Sequence, residues 1–183
     1  MNFTPTPLKG SYVIDIFPIE DDRGWLARTY CKEEFKMIGH SAEWLQMNHT
    51  YTKKKGTIRG MHFQKPPHSE IKLIRCIAGS VFDVIIDIRE GSETFLEWFG
   101  VELSATNMKM IYIPQGFAHG FQTQTDECQL VYHHSAVYTP GVEGGIRYED
   151  KRVGVKWPLE VSAISQRDSG HPLITAQFKG IKI

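Results

Sequence analysis

From residue 70 to residue 134 apolar and polar positions alternate in short bursts. "EIKLIRCI", "SVFDVIIDIR", "EWFGVEL", "MKMIYIP", "FAHGFQT" and "CQLVYHH" follow one another at a spacing of about ten residues. Between them stand Gly79-Ser80, Glu90-Gly91-Ser92, Ser104 to Asn107, Pro114-Gln115-Gly116 and Thr125-Asp126, residues that tolerate tight backbone geometry. Many short strands at this spacing predict an all-β sandwich or small barrel. The clearest strand runs from Val81 to Arg89. Phe82, Val84, Ile86 and Ile88 share its apolar face, and Asp83, Ile85, Asp87 and Arg89 share a mixed one. One helix is expected, "KEEFKMI" at 32 to 38, with glutamates in its first turn and Gly39 placed to cap its end. From Tyr138 onward Gly and Pro predict loops and short helical turns laid over the sheets. No repeat or low-complexity run interrupts the chain, and its 183 residues are expected to form one domain.

The same alternation places polar side chains among apolar ones. Over 58 to 64, Ile58, Gly60, His62 and Gln64 are expected to point one way and Arg59, Met61 and Phe63 the other. Lys72 shares a face with Ile74 and Cys76, and Tyr132 with Cys128 and Leu130. Each buried polar group left unpaired costs about 1 to 3 kcal/mol. Singly, each has an ordinary structural explanation: a satisfied core histidine, a lysine reaching a rim, a phenol donating to a carbonyl. Together, His62, Lys72, His119 and Tyr132 fall on four separate predicted strands, and the interior of a small barrel is where they would converge on a shared cavity.

Two chemistries compete for such a cavity. "PQGFAHG" has the P-x-G-x-x-H arrangement of many metal-binding cupin barrels, and His62 and His68 offer further ligands. Gln64, however, stands where the second histidine of the usual H-x-H pair would be, and no metal is expected. Proton transfer needs less. A neutral imidazole is suited to act as a base near neutral pH, an ammonium can stabilise an enolate oxygen, and a phenol can return a proton from elsewhere. Two different residues on opposing strands suit inversion of a carbon next to a ketone. No dinucleotide or phosphate-loop glycine pattern is present, so no cofactor is expected.

Composition narrows the partners. Hydrophobic residues are 41%, charged residues 23%, and 21 basic side chains balance 21 acidic ones, which favours small-molecule partners over nucleic acid or a membrane surface. Three widely spaced cysteines, Cys31, Cys76 and Cys128, fit buried thiols in a reducing compartment. The beginning "MNFTPTPLKGSYVIDIF" has no secretory pattern, so a cytoplasmic protein is expected.

At "GTIRGMHFQ", "EIKLIRCIAGSVFDVIIDIREGSETF", "IYIPQGFAHGFQ", "LVYHHSAVYTP" and "GIRYED" the chain resembles the dTDP-4-dehydrorhamnose 3,5-epimerase family, with matches running from "DDRGW" to "ISQRDSGHPLI". The resemblance implies a cupin-like jelly-roll barrel, a homodimer, no metal, and epimerisation of a nucleotide-linked 4-keto-6-deoxyhexose at carbons 3 and 5. It implies His62 as base, Asp168 as the carboxylate that orients it, Lys72 near the developing enolate, Tyr132 as proton donor and His119 in the same pocket. It further implies Tyr138 as a ring stacked on the base, Arg23 and Arg59 as phosphate contacts, and Gln46, Asn48 and Glu143 as the rest of the binding set. Four positions depart from the family's usual residues: Arg28 replaces glutamate, Met47 an acidic residue, Arg167 lysine and Trp25 phenylalanine. The first two alter charge or polarity where substrate contacts are expected. For the dimer, an exposed strand around "GSYVIDIF" is expected to offer a sheet edge to a partner.

Overall fold

The computed structural model describes all 183 residues. In chain order the strands are β1 (Asn2–Pro5), β2 (Tyr12–Asp15), β3 (Ile19–Asp21), β4 (Gly24–Leu26), β5 (Gln46–Thr52), β6 (Thr57–Gln64), β7 (Lys72–Ala78), β8 (Ser80–Asp87), β9 (Trp98–Ser104), β10 (Met110–Ile113), β11 (Phe117–Thr123), β12 (Cys128–His134), β13 (Glu143–Gly145) and β14 (Ala163–Ile164). Two helices, α1 (Lys32–Phe35) and α2 (Gln166–Ser169), are each a single turn. The predicted helix over 32 to 38 is α1 continued by a 3-10 turn, Lys36–Ile38, and Gly39 ends it in the left-handed conformation at φ 79°.

Two antiparallel sheets face each other in a cupin-like jelly roll. The front sheet has the order β1-β2-β10-β7-β12-β5; the back sheet has β13-β6-β11-β8-β9, with β14 added in parallel to β6. Between them lies a core of Ile74, Cys76, Ile111, Ile113, Leu130 and Tyr132 from the front, against Val81, Ile85, Leu103, Phe117 and Phe121 from the back. No helix of the structure is long and apolar enough to cross a membrane.

Both faces of β8 are buried. The face carrying Val84 and Ile86, continued by Ile88 just past the strand, packs on the outside of the back sheet against Met61, Phe63 and Ile146, covered by Trp157, Ile174, Phe178 and Ile181 from the C-terminal segment. The mixed face of Asp83 and Ile85 is therefore the one turned into the barrel. The outer face of the front sheet is covered in turn by the α1 segment, whose Phe35 is fully buried against Ile14, Leu73 and Tyr112. Replacing a ring at such a site by alanine costs about 3 to 5 kcal/mol.

Two expectations are corrected. The strand around "GSYVIDIF" is not an exposed edge: β2 is paired on both sides, by β1 and by β10, and Ile14 is completely buried. The edge position falls to β1. Alternation along β6 also does not persist, because its register with β11 shifts between His119 and Phe121. Gly60, at φ +133°, lies so close to Gly120 that a Cβ on it would stand 2.4 Å from the Gly120 Cα. Only glycine permits that approach. The slip brings Arg59, expected on the far face, round to the same cavity as His62.

Candidate active site

A cavity of about 550 Å³ opens between the sheets. His62 from β6 and His119 from β11 enter it from the back sheet; Lys72 from β7 and Tyr132 from β12 enter it from the front. His62 and His119 are register partners across β6 and β11. The four side chains that sequence alternation brings together do share one space.

His62 Nε2 lies 2.8 Å from Asp168 Oδ1. Asp168 sits on α2, whose N-cap Ser165 accepts the Asp168 N–H, and its other oxygen accepts the Gly60 N–H at 3.1 Å. Burial opposes the charge on Asp168, but the His62 hydrogen bond and charge, with the Gly60 and Ser165 contacts, outweigh it and bring its pKa down to about 2. An ionised carboxylate can only accept, so the neutral form of His62 carries its proton on Nε2 and leaves the Nδ1 lone pair free. Of the four side chains, His62 alone remains substantially exposed, at 36%.

The other groups are deeply set. His119 Nε2 is 2.9 Å from Asp83 Oδ2, and burial disfavours charge on both, pushing the carboxyl up and the imidazole down. Burial, with the nearby Asp83, drives the Tyr132 phenol far above its ordinary value and keeps it protonated. Lys72 Nζ reaches the His62 carbonyl at 3.4 Å and Glu70 at 3.3 Å. Arg59 crosses from the back sheet to the front, donating to Thr52 Oγ1 and the Tyr51 carbonyl. At the mouth, the Tyr138 hydroxyl donates to Glu143 at 2.5 Å and Arg167 approaches the same carboxylate at 3.3 Å. Asn48 lines the cavity, and Gln46 beside it accepts the Tyr138 backbone N–H at 2.9 Å.

Three expected contacts lie elsewhere. Arg23, Trp25 and Arg28 belong to the β3–β4 hairpin and its exit, which hydrogen-bonds to neither large sheet and does not reach the cavity of its own chain. Arg23 pairs with Asp21 two residues away, and Arg28 with Glu34 at 2.9 Å. Met47, one residue from the cavity-lining Asn48, is exposed and points away.

The metal candidates are divided. Gln64 spends its side chain holding the 137–139 loop, donating to the His68 and Val137 carbonyls and accepting the Thr139 N–H at 2.8 Å. His68 is engaged with Thr139 and His119 with Asp83. The ligand atoms of His62, Asp168 and His171 do lie within 4.8 Å of one another, the one group in the fold compact enough to hold an ion. Sequence reasoning overlooked Asp83, Glu70, His134 and His171. The first three were marked by the same period of two: Asp83 lies on the mixed face of its strand, Glu70 two residues before Lys72, and His134 two after Tyr132.

Facing sheets that enclose imidazole–carboxylate pairs, an ammonium and a protonated phenol in one cavity define a cupin-like barrel built for proton transfer. Comparison with known proteins makes the assignment specific. A family model described as dTDP-4-dehydrorhamnose 3,5-epimerase matches residues 5–176. A dTDP-4-dehydrorhamnose 3,5-epimerase of Shigella flexneri is 36% identical over 97% of this chain and 99% of its own. The crystal structure of dTDP-6-deoxy-D-glucose-3,5-epimerase from Legionella pneumophila, in complex with dTDP-4-keto-L-rhamnose, superposes with a TM-score of 0.92 at 32% identity, covering 100% of this chain and 98% of that one. A 3'-monoepimerase from Streptomyces bikiniensis, in complex with dTDP-quinovose, superposes at 0.86 and 29% identity, covering 92% and 86%. The chain belongs to the dTDP-4-dehydrorhamnose 3,5-epimerase family and is an isomerase.

Proposed function

We propose that this protein epimerises a dTDP-linked 4-keto-6-deoxyhexose at carbons 3 and 5, the two carbons next to the ketone, and does so as a single-domain cytoplasmic homodimer. The observation that carries the reading is that His62 and Tyr132, from opposite sheets, line one cavity. His62 Nδ1 takes the proton from carbon, and the C–H electron pair moves into the carbonyl to give an enolate. Lys72 stabilises the developing oxygen charge. Tyr132 Oη–H then delivers a proton to the other face of the carbon, because an enolate carbon is a far stronger base than even a buried phenolate. Asp168 holds the imidazole in the required tautomer and supports the imidazolium that forms. Arg59, Asn48, Tyr138, Glu143 and Arg167 surround the mouth and suit the diphosphate and base.

The free hairpin supports the dimer. A two-stranded hairpin alone is marginally stable in water, and this one exposes Ile19, Trp25 and Leu26 along with Arg23. Docked against a second copy, it covers its apolar side chains and carries Arg23, Trp25 and Arg28 to the partner's cavity. In heavy water, dTDP-4-keto-6-deoxyglucose incubated with the protein should take up deuterium at carbons 3 and 5, read by NMR. His62→Asn should slow this by about 1,000-fold or more. Exchange at the original rate removes His62 as the base; label at one carbon only reduces the assignment to a single centre.

A further inference from the structure

We propose that His134 and Glu70 form a positioning relay that fixes the Lys72 ammonium in the cavity and ties it, through Asn48 and Gln46, to the segment carrying Tyr138. The inference rests on the role of Lys72 given above.

The relay crosses three neighbouring strands of the front sheet. His134 is the register partner of Gln46 on one side and of Lys72 on the other. Its polarity is set at one end by a group with no choice: the Tyr138 backbone N–H can only donate, and Gln46 Oε1 receives it at 2.9 Å. Gln46 Nε2 must then donate to Asn48 Oδ1, at 3.1 Å. That leaves Asn48 Nδ2 to donate to His134 Nε2, at 3.3 Å. A nitrogen that accepts is unprotonated, so the His134 proton sits on Nδ1 and is donated to Glu70 Oε2 at 2.7 Å. The second Glu70 oxygen faces Lys72 Nζ at 3.3 Å. Each link fixes the next.

The surroundings make the arrangement exacting. The side chains of Glu70, Lys72 and His134 are each 10% exposed or less. Burial works against the Glu70 charge, but the His134 hydrogen bond and the Lys72 charge hold the carboxyl below its usual value. A lysine stem is flexible, and the only other hydrogen bond of its ammonium is to the His62 carbonyl at 3.4 Å. Glu70 is what confines the ammonium where enolate charge develops, and a donor placed beforehand stabilises a transition state more than one that must be ordered during reaction. The His134 ring also stacks on Tyr132, with centroids 5.8 Å apart at 9°, so packing and hydrogen bonding must be separated by experiment.

His134→Phe keeps a ring against Tyr132 and removes both nitrogens. It should lower kcat about tenfold with KM little changed, the signature of a transition-state effect. His134→Asn, whose amide nitrogen falls near the place of Nδ1, should recover most of that loss. A Phe variant with unaltered kcat, or an Asn variant no better than Phe, overturns the relay. If Phe does not fold, Glu70→Gln carries the test, with the same fall in kcat expected and an unchanged kcat overturning the proposal. A second readout needs no turnover: the long-range proton–nitrogen NMR spectrum of His134 should show a neutral ring protonated on Nδ1, and Asn48→Ala should leave that proton in place, because the ionised Glu70 can only accept it. Protonation on Nε2 in the unsubstituted protein overturns the relay. Should the protein turn over no keto sugar, the functional reading fails while this spectrum still decides the relay.

Discussion

The barrel interior and the β3–β4 hairpin are built on opposite terms. In the cavity His62 answers to Asp168, His119 to Asp83, and Lys72 and His134 to Glu70, all within one chain and all but His62 largely shielded from water. On the hairpin, Arg23 has a side chain 89% exposed and only its near neighbour Asp21 for company, while Trp25 and Leu26 are 52% and 69% exposed. Buried charges must be paired to be tolerated; exposed ones are under no such demand. The proton-transfer groups are thus assembled within one chain, whereas the hairpin hydrogen-bonds to neither large sheet of that chain.

Tyr132→Phe tests the interior most severely. Removing a general acid costs about 100- to 10,000-fold, so net inversion should fall by that order. His62 still reaches the substrate, and deuterium exchange at the carbon it deprotonates should outlast inversion. Parallel measurement of label uptake and product stereochemistry checks this. If both fall by one factor, the two faces do not belong to two residues.

The hairpin invites a different experiment. Arg23→Ala should raise KM about tenfold with a much smaller effect on kcat, as expected for a binding contact remote from the reacting carbon. Mixing Arg23→Ala subunits with inactive His62→Asn subunits then shows whose cavity Arg23 serves. If it reaches across a twofold interface, each mixed dimer holds one intact site, and random exchange restores about a quarter of full activity at low substrate. If Arg23 serves its own chain, mixing restores nothing, and the contrast between the two regions fails.

How far the sequence foretold this follows the same division. Strong alternation over 71 to 77 and 128 to 134 is enough to turn Lys72 and Tyr132 inward, because one face of each strand is apolar. Asp168 and the contacts at the mouth were legible only through family resemblance; nothing in "SQRDSG" marks a carboxylate that will meet a strand more than a hundred residues earlier. Arg59 was misplaced for a stated reason: the slip in β6 accompanies a close approach of Gly60 to Gly120 that only glycine permits, and a local period cannot show a contact across strands. The strand Gln46–Thr52 escaped notice because "QMNHTYT" is polar and mostly exposed or half-buried, which leaves no pattern to read. The hairpin has the same defect, since its side chains are exposed and it joins neither large sheet.

The smallest effect concerns acid. The Asp168 carboxyl has an ordinary value of 3.8 and is held at about 2 in the folded protein. A group whose folded pKa is depressed adds stability that is fully present above the unfolded value and is lost as pH falls through the folded one. Its contribution should therefore disappear between pH 3.8 and about 2. Asp168→Asn, which cannot ionise, should melt less steeply with falling pH across that window, by a few degrees at most for a chain of this size. Arg23→Ala, lying on an exposed surface, should track the unsubstituted protein throughout. Identical acid profiles for Asp168→Asn and the unsubstituted protein would mean that the contacts with His62, Gly60 and Ser165 do not hold the Asp168 carboxyl below its ordinary value.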